Sequence, residues 1–323
     1  MGEIEEKRME ATMFRVQMAV SCMVCIIAAS LICAAPQMAA QNPISIHGEL
    51  PFPESLSSSS DGTIFIGSAS QGMIFRVTPG STSAEPWLAA GANGMQRVLG
   101  VFTDARTGIL WVCSTKIQGE PTALKAFDMK SKVVLGSYSF PGDTGICNDI
   151  ALSRKGDVYV TDTMNGRILR LRPGAQELEV WVKNDRLIQA DGIAFGDAEN
   201  LYVNTFRTGH LFRIALAPNG SSGTISEVKT SQPLNLPDGL RAIGKNQFLM
   251  IEGAGRLDYV TVEGDYAKIQ VLKDGFNGPT AVTLVGDTAW VLEGKLKYMN
   301  DSAFKGQNPG PFKVYPVHIQ HPH

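Results

Sequence analysis

The sequence predicts an all-β fold, specifically a six-bladed β-propeller of four-stranded antiparallel blades. Three observations point there. The 33 glycines and 17 prolines among 323 residues alternate with short Val, Ile, Tyr and Phe runs, as turn-formers and strand-formers do in a chain of many short strands. No long amphipathic helical pattern occurs after about residue 45. One strand–turn–strand unit recurs six times at intervals of 41 to 48 residues. A β-solenoid coil would repeat in about 20 to 30 residues, and a sandwich requires no fixed period.

In chain order, the first element stands apart. Met18 to Ala35 is almost continuously apolar, follows Lys7, Arg8 and Arg15, and precedes Met38-Ala39-Ala40. This is the layout of a secretory signal peptide cleaved near Ala40. The acidic start Glu3-Ile4-Glu5-Glu6 is unusual in that setting and points to translation beginning at Met9 or Met13. The alternative is an uncleaved N-terminal membrane anchor, since about 18 apolar residues just span a bilayer. The expected organisation is a leader over residues 1–40 and a single propeller domain over 41–323 with a short flexible C-terminal tail, exported to a periplasm or secreted. Cys22, Cys25 and Cys33 leave with the leader, so the mature chain keeps Cys113 and Cys147. An oxidising compartment would allow these two to pair, and the sequence leaves the pairing open.

The repeat follows. Its copies lead from Glu54 to Gly62-Thr63-Ile64-Phe65-Ile66, from Gly100 to Gly108-Ile109-Leu110-Trp111-Val112, and from Asn148 to Gly156-Asp157-Val158-Tyr159-Val160. Asp191 leads likewise to Leu201-Tyr202-Val203, Asp238 to Phe248-Leu249-Met250, and Pro279, more weakly, to Ala289-Trp290-Val291. Each key residue precedes its central strand residue by eleven positions. A third strand of one recipe follows in several copies, as in Gly72–Val77, Gly166–Leu171 and Gly209–Ile214. Asp, Ser, Asn and Gly clusters between the strands supply the turns. Ring closure is expected to use Phe312–Val317 or the strand near Ile44–Ile46. His321 and His323 belong to a frayed terminus and read as tail rather than as a metal site.

A propeller brings one position of its repeat to the central axis, so Glu54, Gly100, Asn148, Asp191, Asp238 and Pro279 form the expected ring. Three carboxylates and an amide there would be costly to bury without a compensating cation. Oxygen donors with no Cys or His favour Ca2+, with Mg2+ or another divalent cation as the alternative. The metal ligands expected are therefore Glu54, Asn148, Asp191 and Asp238. Around them, Asp149 is placed beside the ligands or in a solvated turn, and Arg97, Arg207 and Arg241 near the rim. Glu252 and Glu293 are placed at blade edges or facing the channel.

The pieces Pro53-Glu54-Ser55, Cys147-Asn148-Asp149, Asp191-Gly192-Ile193 and Pro237-Asp238-Gly239-Leu240 make the chain resemble the gluconolactonase, senescence marker protein (regucalcin) and luciferin-regenerating enzyme family over about residues 48–300. Paraoxonases, diisopropyl fluorophosphatase and strictosidine synthase-like proteins are more distant relatives. The resemblance implies a catalytic divalent cation, usually calcium, on Glu54, Asn148 and Asp238, with Asp238 also the general base or nucleophile. Asp191 stands where relatives often have Asn, and the Trp usual shortly after the first Glu is absent.

The implied activity is a calcium-dependent hydrolase acting on a lactone or related ester, with specificity set by loops such as Gln118–Ala123 and Phe206–Gly209. The alternative is a non-enzymatic propeller binding platform with a structural calcium. A condensing enzyme of the strictosidine synthase type would need no axial carboxylates. A formal net charge of −2 without a basic stripe gives no footprint for nucleic acid, and membrane contact is expected only if the N-terminal segment stays uncleaved. No Gly-x-Ser-x-Gly elbow, Walker loop or dinucleotide fingerprint occurs.

Overall fold

The computed structural model describes residues 41–117, 121–142 and 144–319, with Ala198 described by its backbone alone. The expected leader, His321 and His323 lie outside the described residues. From Asn42 onward the chain forms one compact unit. Among the described residues no helix is long and apolar enough to cross a membrane.

Strands follow one another almost without interruption. β1 (Ile44–Ile46) comes first. A run of four follows in β2 (Pro53–Ser58), β3 (Ile64–Ser68), β4 (Ile74–Val77) and β5 (Ser83–Leu88). The second run is β6 (Arg97–Asp104), β7 (Ile109–Thr115), β8 (Ala123–Asp128) and β9 (Val134–Ser139). The third is β10 (Cys147–Leu152), β11 (Val158–Asp162), β12 (Arg167–Leu171) and β13 (Glu179–Lys183). The fourth is β14 (Ala190–Phe195), β15 (Leu201–Thr205), β16 (His210–Leu216) and β17 (Ser222–Glu227), followed by the short β18 (Lys229–Thr230). The fifth is β19 (Pro237–Gly244), β20 (Gln247–Glu252), β21 (Arg256–Glu263) and β22 (Tyr266–Lys273). β23 (Pro279–Val285), β24 (Thr288–Glu293) and β25 (Phe312–His318) end the series.

The second, third and fourth runs are separate four-stranded antiparallel sheets. The fifth gains β18 as a parallel edge strand on β22. The first joins the last in one eight-stranded sheet, because β1 pairs antiparallel with β25 and also touches β5 in parallel over two residues. Closure thus uses both expected segments, with Ile44 opposite Val314.

Burial falls from the inner strands outward. In the third run β11 is buried throughout while β13 buries only Trp181, which explains why the inner strands read as continuous Val, Ile and Tyr runs. The first strands of the runs neighbour one another in the closed order β2, β6, β10, β14, β19, β23 and back to β2. Apolar clusters fill the spaces between neighbouring runs. One joins Trp111 and Leu124 to Ile150 and Leu169, for example, and another joins Leu56 and Phe75 to Leu292 and Val314.

Every first strand carries the same irregularity. Its register slips by one residue directly after Pro53, Val98, Cys147, Ala190, Pro237 and Pro279. Such a bulge re-aims the side chain that follows. The bulged residues are Glu54, Leu99, Asn148, Asp191, Asp238 and Thr280, so Leu99 replaces Gly100 and Thr280 replaces Pro279 in the expected ring. Turn length is the reason. In runs one, three and four the Ser59–Thr63, Ser153–Asp157 and Gly196–Asn200 hydrogen bonds continue the pairing of the first two strands and leave three residues in the turn. Four residues separate Asp104 from Ile109, and only Gly286 and Asp287 separate Val285 from Thr288. The spacing of eleven therefore lands one residue late in one run and one residue early in the other.

Candidate metal centre

Five of the six bulged residues, all but Leu99, line the site. Glu54, Asp191 and Asp238 each offer a carboxylate oxygen, and the three oxygens lie within 4.8 Å of one another. Asn148 lines the same small cavity, about 10 Å³, together with Thr280. That is room for a single ion or water. All four sequence-predicted ligands thus come together, and each keeps 7% exposure.

Local structure explains how they are aimed. Phe52, Gln189 and Leu236, each two residues before a ring carboxylate, have φ of 38°, 66° and 56°. Non-glycine residues pay about 1–3 kcal/mol for such left-handed backbone and keep it only where surrounding bonds enforce it. Here the carbonyls of Phe52, Gln189 and Leu236 accept from Ala69, Phe206 and Gly253 N–H at 2.9, 3.0 and 2.7 Å. In the run that carries Asn148, the corresponding Ile146 has no such outlier.

The second strands brace the bulges. Thr161 Oγ1 accepts from Asp149 N–H at 2.9 Å and donates to the Asp191 carbonyl at 3.0 Å. Asn204 accepts from Gly192 N–H through Oδ1 and donates through Nδ2 to the Asp238 carbonyl at 2.6 Å. Cys113 occupies the matching place on β7 and forms a disulfide with Cys147, the residue before Asn148, with the Cα atoms 5.1 Å apart. The pairing left open by the sequence is made. Thr161 and Asn204 had no sequence signal, because nothing in their spacing marks them as facing a bulge.

The electrostatics are those of crowded buried acids. Burial, then the Asp191 and Asp149 charges, push the Glu54 carboxyl well above its ordinary range, with Arg241 pulling it down. Asp191 is pushed up to about 7 by burial and then by Asp149, against hydrogen bonds from Asn148 and Asp238. Asp238 is raised well above its ordinary value by burial, then by Asp191, Glu54 and Asp149, with the Gly239 N–H lowering it. Three carboxyls so placed cannot all ionise unless a cation is present.

The donor set fits a hard cation. Asn148 Nδ2 donates to Thr163 Oγ1 at 3.1 Å, which turns its amide oxygen into the atom to offer an ion. Thr280 Oγ1 is buried without a hydrogen-bond partner beside the carboxylates. A buried hydroxyl left in that state calls for a ligand.

The flanking candidates separate. Asp149 and Arg241 are both buried and pair with each other at 2.7 Å, so Arg241 belongs to the floor of the cavity and not to its rim. Arg97 donates to the Ala69 carbonyl, and Arg207 is exposed. Glu252 and Glu293 accept from the backbone N–H of Asn235 and Asn277 and so brace the chain entering β19 and β23. Neither lines the cavity.

No protein-family model and no curated protein matches the sequence. Solved structures do match. Luciferin-regenerating enzyme superposes with a TM-score of 0.66 at 12% identity, over 87% of this chain and 96% of that one. A gluconolactonase from Xanthomonas campestris gives 0.62 at 14% identity, over 87% and 99%. A catalytically inactive His-to-Ala variant of virginiamycin B lyase from Staphylococcus aureus gives 0.59 at 16% identity, over 88% and 83%. At such identities the likeness speaks for the fold, and the chain shares the propeller fold of gluconolactonase and luciferin-regenerating enzyme.

Proposed function

We propose that the chain is an exported six-bladed propeller that hydrolyses a lactone or related ester at a calcium-type cation held by Glu54, Asn148, Asp191 and Asp238. The observation that carries this reading is the convergence of three buried carboxylates and an amide on one ion-sized cavity. The closed order of six inner strands supports the blade number. The apolar segment before residue 41 and the Cys113–Cys147 disulfide support export.

A cation bound there would supply Lewis-acid polarisation of the substrate carbonyl. The rest falls to side chains. Asp238 accepts the proton of an attacking water as the water oxygen bonds to the carbonyl carbon. It returns that proton to the alkoxide when the ring carbon–oxygen bond breaks, giving the hydroxy acid. Asn148 and Thr280 orient, and the residual exposure of the ring side chains leaves a path to solvent. A lyase reading is disfavoured because no histidine is among the described residues lining the cavity.

The test is calcium titration of the purified protein alongside turnover of an aldonolactone panel and an aryl ester, comparing wild type with Asp238→Asn. Calcium-dependent turnover reduced about 10²–10⁴-fold in the variant supports the proposal. Tight calcium binding without turnover would favour the binding platform with a structural ion.

A further inference from the structure

The residue after each ring position is Ser55, Gly100, Asp149, Gly192, Gly239 or Ala281. Three are glycine for a steric reason. A Cβ on Gly100 would meet the Asn148 carbonyl oxygen at 2.0 Å, and one on Gly192 the Asp238 carbonyl oxygen at 2.3 Å. Asp149 is the charged exception. The third residue after each ring position is Ser57, Phe102, Ala151, Ala194, Arg241 or Thr283, and Arg241 alone is charged.

The two exceptions meet. Arg241 Nη1 donates to both carboxylate oxygens of Asp149, at 3.0 and 2.7 Å, and the two residues are 8% and 5% exposed. Arg241 also reaches the Leu240 carbonyl and Ser55 Oγ, and its guanidinium lies 5.7 Å from the Phe102 ring centre. Asp149 in turn accepts from the N–H groups of Ile150 and Ile193. The pair therefore ties β2, β6, β10, β14 and β19 together across the channel. Arg241 lines both the ring cavity and a chamber of about 270 Å³ formed by the later residues of the first strands, so it forms part of the wall between them.

Its place under the ring gives the pair an electrostatic role. Both side chains line the ring cavity beside the carboxylates, so each brings a full charge to the place a cation would occupy. We propose that the Asp149–Arg241 pair is a positioning device that sets how strongly the ring holds its cation. Asp149 adds attraction from below, Arg241 subtracts it, and their mutual bond keeps the two contributions opposed at a fixed depth. The inference rests on the axial-cation reading above.

Calorimetric Ca2+ titration and thermal melting of the full chain test it in Asp149→Asn, Arg241→Met and the double variant. Asp149→Asn leaves an unpaired guanidinium under the ring, and its Kd for Ca2+ is expected to rise about tenfold or more. Arg241→Met leaves an unpaired carboxylate, so its Kd is expected to fall by about tenfold while its cation-free Tm drops. The double variant removes both charges and is expected to return to within about threefold of wild type. Opposite signs in the single variants are what a purely structural brace would not produce. Weaker binding in both, or no change in either, overturns the inference. Should Arg241→Met not fold, Arg241→Lys keeps the charge and is expected within about threefold of wild type. A Kd for it matching Asp149→Asn overturns the inference. Absence of Ca2+ binding by wild type would instead overturn the axial-cation reading, and this inference with it.

Discussion

The ring is held together in two ways. Asn148 is tethered to the preceding run by a covalent bond, Cys113–Cys147, while the backbone of Asp191 and of Asp238 is tethered by single side chains, Thr161 and Asn204, from the matching place on the preceding second strand. Among the ligand candidates the amide thus has the covalent tether, and Asp191 and Asp238 have the adjustable ones. Hydrogen bonds can give by fractions of an ångström as mutually repelling carboxylates gain or lose a counter-ion, whereas a disulfide fixes the strand against which they move.

The largest expected effect strains the hydrogen-bonded side alone. In the cation-free protein Asp191 titrates near 7 when folded, so between about pH 4 and 7 the folded chain keeps a proton that the unfolded chain has lost. Stability is therefore highest below the unfolded value, falls as pH rises through that window and levels off above it. For Asp191 alone the difference is about 4 kcal/mol, and Glu54 and Asp238 act in the same direction. Melting from pH 4 to 8 should show this fall without Ca2+, a smaller one with Ca2+, and a reduced one in Asp191→Asn. A flat cation-free profile in wild type would remove the basis for the crowded-acid description.

Next in size is the covalent tether. Replacing Cys113 and Cys147 by Ala together opens a loop with a sequence separation of 34 residues, and should cost about 3 kcal/mol in guanidinium unfolding. Asn204→Ala leaves the Gly192 N–H and the Asp238 carbonyl without partners, and should cost about 2 to 3 kcal/mol and weaken Ca2+ binding. Thr161→Val keeps the shape but orphans Asp149 N–H and the Asp191 carbonyl, for about 1 to 2 kcal/mol. If Asn204→Ala left Ca2+ affinity untouched while the cysteine replacement abolished it, the division between a rigid frame and adjustable tethers would be the wrong way round.

Much of this was legible in the sequence because a repeat multiplies weak signals. Pro237-Asp238-Gly239 alone reads as a turn, but the same phase in Glu54, Asn148 and Asp191 places all four on one axis, and they do line one cavity. Phase was lost where the period broke. Turns of four and two residues moved Leu99 and Thr280 out of phase, and with Thr280 went an oxygen facing the site. Arg241 was placed at the rim because strand alternation does not reveal a bulge, which shifts the following residues by one and carries this side chain inward to Asp149. The disulfide depended on the distance between neighbouring runs, which strand spacing does not contain.

The pairing of β1 with β25 also bears on how the protein comes to exist. Ile44 and Val314 are 270 positions apart, so the seam that shuts the ring forms only after the runs between them have been made. Until the final strand arrives, the first run has an uncovered outer edge and the last run is a strand short, each a template for pairing with another molecule. The cavity between the carboxylates cannot take its final shape before that moment, so an ion there would be captured only once the ring has closed.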